Sequence, residues 1–200
     1  MTDTFKTEKE RMLAGEIYNS RDTELLACYH KARLLLQEFA AADSADSARK
    51  QQILTSLLGT LGQGVWIEAP FFCDYGENIH LGNDVFINYN CVLLDCNRIV
   101  IGNNVLIGPA VQIYTATHPL QAGARIKCNK GAEADAAGYV TRALPVTIGD
   151  NVWVGGGAIL MPGVEIGANT TVGAGSVVTK PVPANCFAAG NPCRVIRELD

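Results

Sequence analysis

From residue 81 onward, an aliphatic side chain returns at every sixth position. The series runs Leu81, Ile87, Leu93, then Ile101, Ile107, Ile113, then Ile148, Val154, Leu160, Ile166, Val172, Val178. A glycine follows many of these residues directly, as at Gly82, Gly102, Gly108, Gly149, Gly155, Gly167 and Gly173. Small or β-branched residues take the fourth place after the aliphatic one: Val85, Val105, Val111, Val152, Ala158, Val164, Thr170 and Ser176. Six residues match neither the 3.6-residue turn of an amphipathic helix nor the alternation of a hairpin series. They match short strands joined by tight turns, three per coil, with the aliphatic side chains stacked inside a triangular prism. Glycine and asparagine suit the corners, because they tolerate positive φ and close backbone approach. A β-sandwich with glycine-rich turns is the competing reading, but its strands should be longer and its turns less evenly spaced. The fold class expected is therefore mostly β: a parallel β-helix.

The period slips twice. Leu93 to Ile101 is eight residues, with Asp95–Arg98 filling the excess. Ile113 to Ile148 is thirty-five, and that interval has no aliphatic rhythm. It reads as a loop extruded from one corner over about residues 114–146. A long excursion from a compact scaffold tends to carry function. His118 stands at its start, in YTATHPLQ, as one of three histidines. Histidine is the side chain suited to proton transfer near neutral pH. His80 occupies an ordinary coil position, and His30 falls in a helical stretch.

Residues 1–60 form a helical head. Leu25, Leu26, Tyr29, Ala32, Arg33, Leu36 and Phe39 recur at helical spacing, Asp22 suits the helix start, and Ser44 or Ser47 could cap a second helix ending at Gly59. Such a head is too short for a large core of its own and must lean on the coils. The β-helix then spans 61–185 and a tail 186–200. A formal charge of −4 and the lack of a basic stripe argue against nucleic acid as a partner. No apolar run approaches membrane-spanning length, and MTDTFKTEKERM lacks a signal-like apolar segment. Seven cysteines, an odd number without paired spacing, suggest free thiols in a reducing, cytoplasmic setting rather than a disulfide framework or a zinc site.

The stretches MLAGEIYNSRD, DYGENIHLGNDVFINYN, THP at His118, IGDNVWVGGGAILMPGVEIGANTTVGAGSVVTK and AAGNPCRVIRE follow in order over nearly the whole chain. With them the sequence resembles the hexapeptide-repeat sugar O-acetyltransferases, the maltose and galactoside O-acetyltransferase family. That resemblance implies a left-handed β-helix, a homotrimer with active sites between adjacent prisms, and acetyl-CoA as co-substrate with no metal. It implies His118 as general base on a sugar or glycoside hydroxyl. It places Asn88 and Asp74 at the acceptor, and Gly156, Ala174, Thr179, Lys180, Arg194 and Arg197 at the coenzyme. The chain departs from the family at Ser20, where relatives carry aspartate, and at Asp95–Cys96, where they carry a pair of aspartates. Its loop after THPL is also longer. All three departures fall on the acceptor side.

The sugar hydroxyl that the resemblance implies needs a base, and no Ser–His–Asp spacing or GxSxG motif in the sequence offers a covalent route. Lys180, Arg194 and Arg197 form a small basic group suited to coenzyme phosphates. Trp153 suits packing or a subunit contact. Other readings are acetyl transfer to an amine and a β-helix scaffold without catalysis. A γ-class carbonic anhydrase would need three converging histidines.

Overall fold

The computed structural model describes residues 6–127 and 136–200; Cys128 lies outside them. Three parallel sheets wrap around one core. The first face stacks Thr60–Leu61, Ile79–Leu81, Ile99–Ile101, Val146–Ile148 and Glu165–Ile166. The second stacks Trp66–Ile67, Phe86–Ile87, Leu106–Ile107, Trp153–Val154, Thr171–Val172 and Cys186–Gly190, and ends on the antiparallel strand Cys193–Glu198. The third stacks Phe71–Cys73, Cys91–Leu94, Gln112–Tyr114, Ile159–Leu160 and Val177–Val178. The expected tail therefore starts inside the prism: Cys186–Gly190 is a further rung of the second face, paired in parallel with Thr171–Val172.

Registers explain the period. Leu61, Leu81, Ile101, Ile148, Ile166 and Val182 stand in one stack. Ile67, Ile87, Ile107, Val154, Val172 and Ala188 form a second. Cys73, Leu93, Ile113, Leu160 and Val178 form a third. All twelve aliphatic positions of the repeat are buried, as are the eight small or β-branched ones. At about 1.5–3 kcal/mol for each large side chain removed from water, this column dominates the fold. Successive coils lie one strand spacing apart, so corners are crowded. A Cβ on Gly108 would meet Gly156 N at 2.5 Å, and one on Gly155 would meet Ala174 N at 2.5 Å.

Two kinds of corner result. The first corner, between the first and second faces, carries Asn104, Asn151, Asn169 and Asn185 at φ of 55–58°. Their side-chain amides hydrogen-bond to one another down the prism at 2.8–3.1 Å. The third corner, between the third and first faces, is wide in three successive coils. Asp74–Asn78, Asp95–Arg98 and the two described ends of the excursion, 115–127 and 136–145, lie there one above the other. Both period slips thus occur at one corner, together with an earlier one after Cys73.

The head covers this wide corner. Helix α1 is Glu8–Leu13, α2 Thr23–Ala41 and α3 Ser47–Leu57. Asp22 caps α2 by accepting from Glu24 N at 2.9 Å. Asp46, not Ser44 or Ser47, caps α3, accepting from Arg49 N at 2.9 Å. Leu25, Ala32, Leu36 and Phe39 of α2 are buried, whereas Leu26 and Tyr29 are exposed. Met12, Tyr18 and Leu25 pack with Tyr75, Cys96 and Ala143 into a second apolar cluster. Asn97 ties the parts together: its amide donates to the carbonyls of Met12 at 3.1 Å and Ala143 at 3.0 Å.

Candidate active site

The excursion is ordered around its neck. Ala116–Thr117 pairs antiparallel with Arg142–Ala143, and Ile126 bridges Tyr139, with α4 (Ala122–Arg125) between the two pairings. His118 directly follows the neck strand. Its Nδ1 lies 2.8 Å from the Val140 carbonyl, and Tyr139 meets the imidazole edge-on at 5.4 Å between centroids. A carbonyl only accepts, so Nδ1 carries the proton and donates it. Nε2 is left with its lone pair, the form a general base requires.

Two cavities meet at this ring. One, of about 340 Å³, is lined by Tyr18, Ser20, Asp74, Tyr75, Cys96, Tyr139 and Thr141, with Arg21, Leu25, Leu26, Tyr29 and Ala116 completing it. The other, of about 570 Å³, is more apolar and is lined by Ile17, Pro119, Leu120, Ala124, Val140 and Leu144 among others. His118 is the one residue common to both. The first cavity spans all three wide turns of the third corner and is walled by the head.

Ser20, Asp74, Cys96 and His118 are thus brought together. Cys96 is buried, and its thiol donates to Asp74 Oδ2 at 3.3 Å. Burial pushes both groups above their ordinary values: the Cys96 thiol rises far above the usual thiol range, with the neighbouring Asp74 charge adding to it. For Asp74 burial outweighs the opposing effects of the Cys96 thiol and the Arg33 guanidinium. Cys96 is therefore a neutral donor and a poor nucleophile.

Asp95 does not reach the cavity. It is 0 % exposed and accepts from Asp74 N at 2.9 Å, Tyr75 N at 2.8 Å and Asn78 N at 3.3 Å. Burial raises it to about 7 despite those bonds. Expected at the acceptor, it instead braces the loop that carries Asp74. Asn88 also lies away from His118. It sits at the second corner, in register with Gly108, Gly155 and Gly173, and its Oδ1 accepts from Tyr89 N at 2.8 Å. Gly156 and Ala174 continue that same corner. Thr179 and Lys180 lie at the third corner two coils beyond the neck, and Arg194 and Arg197 project from the terminal strand. Lys180, Arg194 and Arg197 are exposed and form no ion pair among the described residues. None of the six lines either cavity at His118.

Tyr18, Arg21, Tyr29, Tyr75, Tyr139 and Thr141 escaped the sequence reading. They come from the head and the far side of the excursion, and no period links them to His118. Tyr75, beside Asp74 in DYGENI, and Tyr18 and Arg21, on either side of Ser20 in MLAGEIYNSRD, lie within stretches the sequence analysis singled out. His80 sits on the outer side of its strand, its Nδ1 3.4 Å from Thr60 Oγ1. Among the described residues no group of three His, Cys, Asp or Glu side chains is arranged to hold a metal ion. No helix among them is long and apolar enough to cross a membrane.

Comparison with known proteins fits this geometry. Residues 11–62 match the family described as maltose acetyltransferase hexapeptide capping motif, and residues 145–180 match the bacterial transferase hexapeptide (six repeats). The galactoside O-acetyltransferase of Escherichia coli K12 is 36% identical over 191 residues, covering 96% of this chain and 89% of that protein. The chain belongs to the hexapeptide-repeat acetyltransferases of the maltose and galactoside type. Its prism is the left-handed β-helix of that family. The crystal structure of a maltose O-acetyltransferase from Clostridium difficile 630 superposes with a TM-score of 0.89 at 42% identity, covering 98% of both chains. A hexapeptide-repeat acetyltransferase from Vibrio cholerae O1 biovar eltor, complexed with acetyl-CoA, superposes at 0.84 with 36% identity, covering 98% of this chain and all of that one.

Proposed function

We propose that this acetyltransferase moves the acetyl group of acetyl-CoA to a hydroxyl of a sugar or glycoside, with His118 as general base. The observation that carries the reading is the imidazole held by the Val140 carbonyl, its Nε2 lone pair free at the junction of a polar and an apolar cavity. A free sugar hydroxyl is a weak nucleophile. Nε2 takes its proton as the oxygen attacks the thioester carbonyl, and returns that proton to the departing thiolate. Transfer is direct, within a ternary complex. Among the described residues the one thiol lining the polar cavity, Cys96, is kept protonated by burial. The Gly156 backbone N–H at the second corner, between Gly155 and Gly157 whose own N–H groups bond the Val172 and Pro109 carbonyls, suits the tetrahedral oxyanion.

The residues present fit acetyl-CoA. The second corner exposes Gly157, Ala174 and Gly175 beside half-buried Gly156 and Gly173, and a Cβ built on Gly157 or Gly175 meets nothing within 4 Å. Such a strip suits an extended pantetheine arm, and unpaired Lys180, Arg194 and Arg197 suit its phosphates. The acetyl-CoA complex of the Vibrio cholerae relative supports the choice of donor.

The working unit is a homotrimer. Asn88, Gly156 and Ala174 stand at a different corner from the His118 loop, so a neighbouring copy is needed to bring such a corner against the base. The second face offers a contact surface: Trp66, Phe86, Leu106 and Trp153 stand in register on its outer side, with Trp66 and Trp153 54% and Leu106 49% exposed. A flat apolar row of this kind suits a symmetric contact. The described cysteines, all free, are consistent with a cytoplasmic setting.

The test is thiol release from acetyl-CoA with a panel of maltose, methyl glucoside, methyl galactoside and amino sugars. O-acetylation of a neutral sugar is expected, and His118→Ala should lower turnover about 10²–10⁴-fold while leaving coenzyme binding near normal. Unchanged turnover removes His118 from the mechanism, and acetylation confined to amines overturns the O-acetyl assignment. Lysine at Leu106 and Trp153 together should give monomers that bind acetyl-CoA weakly. Tight binding by a demonstrated monomer contradicts the shared site.

A further inference from the structure

Arg33 lines neither cavity, yet it touches two residues that line the polar one. It lies on α2, half-buried, and its Nη2 donates to the Cys73 carbonyl and, at 3.4 Å, to the Asp74 carbonyl. The same nitrogen stands 4.0 Å from Asp74 Oδ1. The guanidinium also stacks over Tyr29, 4.4 Å from the ring centroid. Tyr29 and Asp74 both face the cavity that ends at His118. One planar cation therefore fixes the backbone of the first wide turn, the carboxylate on it, and the aromatic wall beside it. Arginine provides all three at once through its fork of donors and its flat face.

Building on the acceptor reading of that cavity, we propose that Arg33 is a positioning residue for the acceptor: it holds Asp74 and Tyr29 in the arrangement that binds the sugar. It acts through those two residues and touches neither His118 nor the coenzyme strip. Its charge also favours the ionised form of Asp74 against the burial that disfavours it. The other titratable groups around Asp74 work differently. The Cys96 thiol donates to it, while Cys73, Tyr18 and Tyr75 are neutral and buried, and Asp95 behind it is itself pushed towards its neutral form by burial. Arg33 is thus the one cation against this carboxylate among the described residues. With Arg33 gone, Asp74 takes up a proton more readily, so binding that needs the carboxylate fails at a higher pH than in the wild type.

The experiment is steady-state kinetics with the best neutral sugar of the panel and acetyl-CoA, across pH. Arg33→Met should raise the acceptor KM about tenfold, with kcat and the KM for acetyl-CoA within about twofold. Its acidic rise in acceptor KM should begin at a higher pH than in the wild type, while the kcat profile stays in place. Arg33→Lys restores the charge without the fork or the stacking. It should return the acidic rise to its wild-type pH and recover only part of the KM, and this variant decides the matter if Arg33→Met does not fold. In an Asp74→Asn background, Arg33→Met should no longer move any acidic limb. Wild-type acceptor KM in both Arg33 variants, or a loss carried wholly in kcat, overturns the proposal. No acetylation of any sugar by the wild-type enzyme takes down the acceptor reading itself, and this inference with it.

Discussion

The first and third corners of the prism solve one problem in opposite ways. At the first, the coils turn in four residues between strands, and an asparagine at positive φ passes its amide to the asparagine of the next coil. The side-chain amides of that ladder are met by copies of themselves. At the third, three coils turn widely and no copy is available. The backbone is satisfied by single buried side chains: Asp95 for the Asp74–Asn78 turn, Thr115 for Asn97 N at 2.9 Å, and Asn97 for the head and the loop. Repetition makes a wall, and departure from repetition makes a cavity.

That contrast can be broken from the wide side first. Asp95→Ala strands three buried backbone donors and should cost about 3–5 kcal/mol, read as a large fall in denaturation midpoint. A loss below about 1 kcal/mol would mean that the turn relaxes onto water. The pH dependence sharpens the point. Asp95 titrates near 7 when folded, well above an ordinary aspartate near 3.9, so between those values the folded state holds a proton that the unfolded state has released. This group's contribution to stability is therefore greatest at acid pH and is lost as pH rises through about 7. Asp95→Asn should flatten that part of the stability profile, and an unaltered slope would assign the titration elsewhere. The narrow corner gives the smallest effects. Asn151→Ala loses ladder bonds and meets the cost of left-handed backbone, about 1–2 kcal/mol. Asn151→Gly loses only the bonds and should cost less; equal losses would show that conformation is unimportant there.

The same contrast explains what could be read without a structure. The three faces, the stacking registers and the position of the excursion follow from a rule that each coil repeats, so residues 81–178 announce them. The rule also contains its first exception, the wide turn at Asp74–Asn78, but Cys73 interrupts the aliphatic count just before it. His118, Ser20, Asp74 and Cys96 were found with the help of family motifs, and the cavity brings them together. Asp95 was misplaced because a carboxylate facing solvent and one capping three buried amides look alike in one dimension. Tyr18, Tyr29, Arg33 and Tyr139 arrive from segments remote in sequence, and only packing of the head against the third corner assembles them. The split of Asn88 and Gly156 from His118 is a property of three-dimensional corners.

The neck of the excursion has a consequence for how such an enzyme can change. Ile126 and Tyr139 are bridged, and the carbonyl that orients His118 belongs to the residue immediately after Tyr139. Chain inserted or removed between those two bridged residues leaves in place the Val140 carbonyl that meets the His118 ring and the strand pair that precedes both. On the proposed role of His118, the chain between Ile126 and Tyr139 and the catalytic step are thus uncoupled. A lineage could rewrite the one by insertion, deletion or substitution in search of new acceptors, without rebuilding the other.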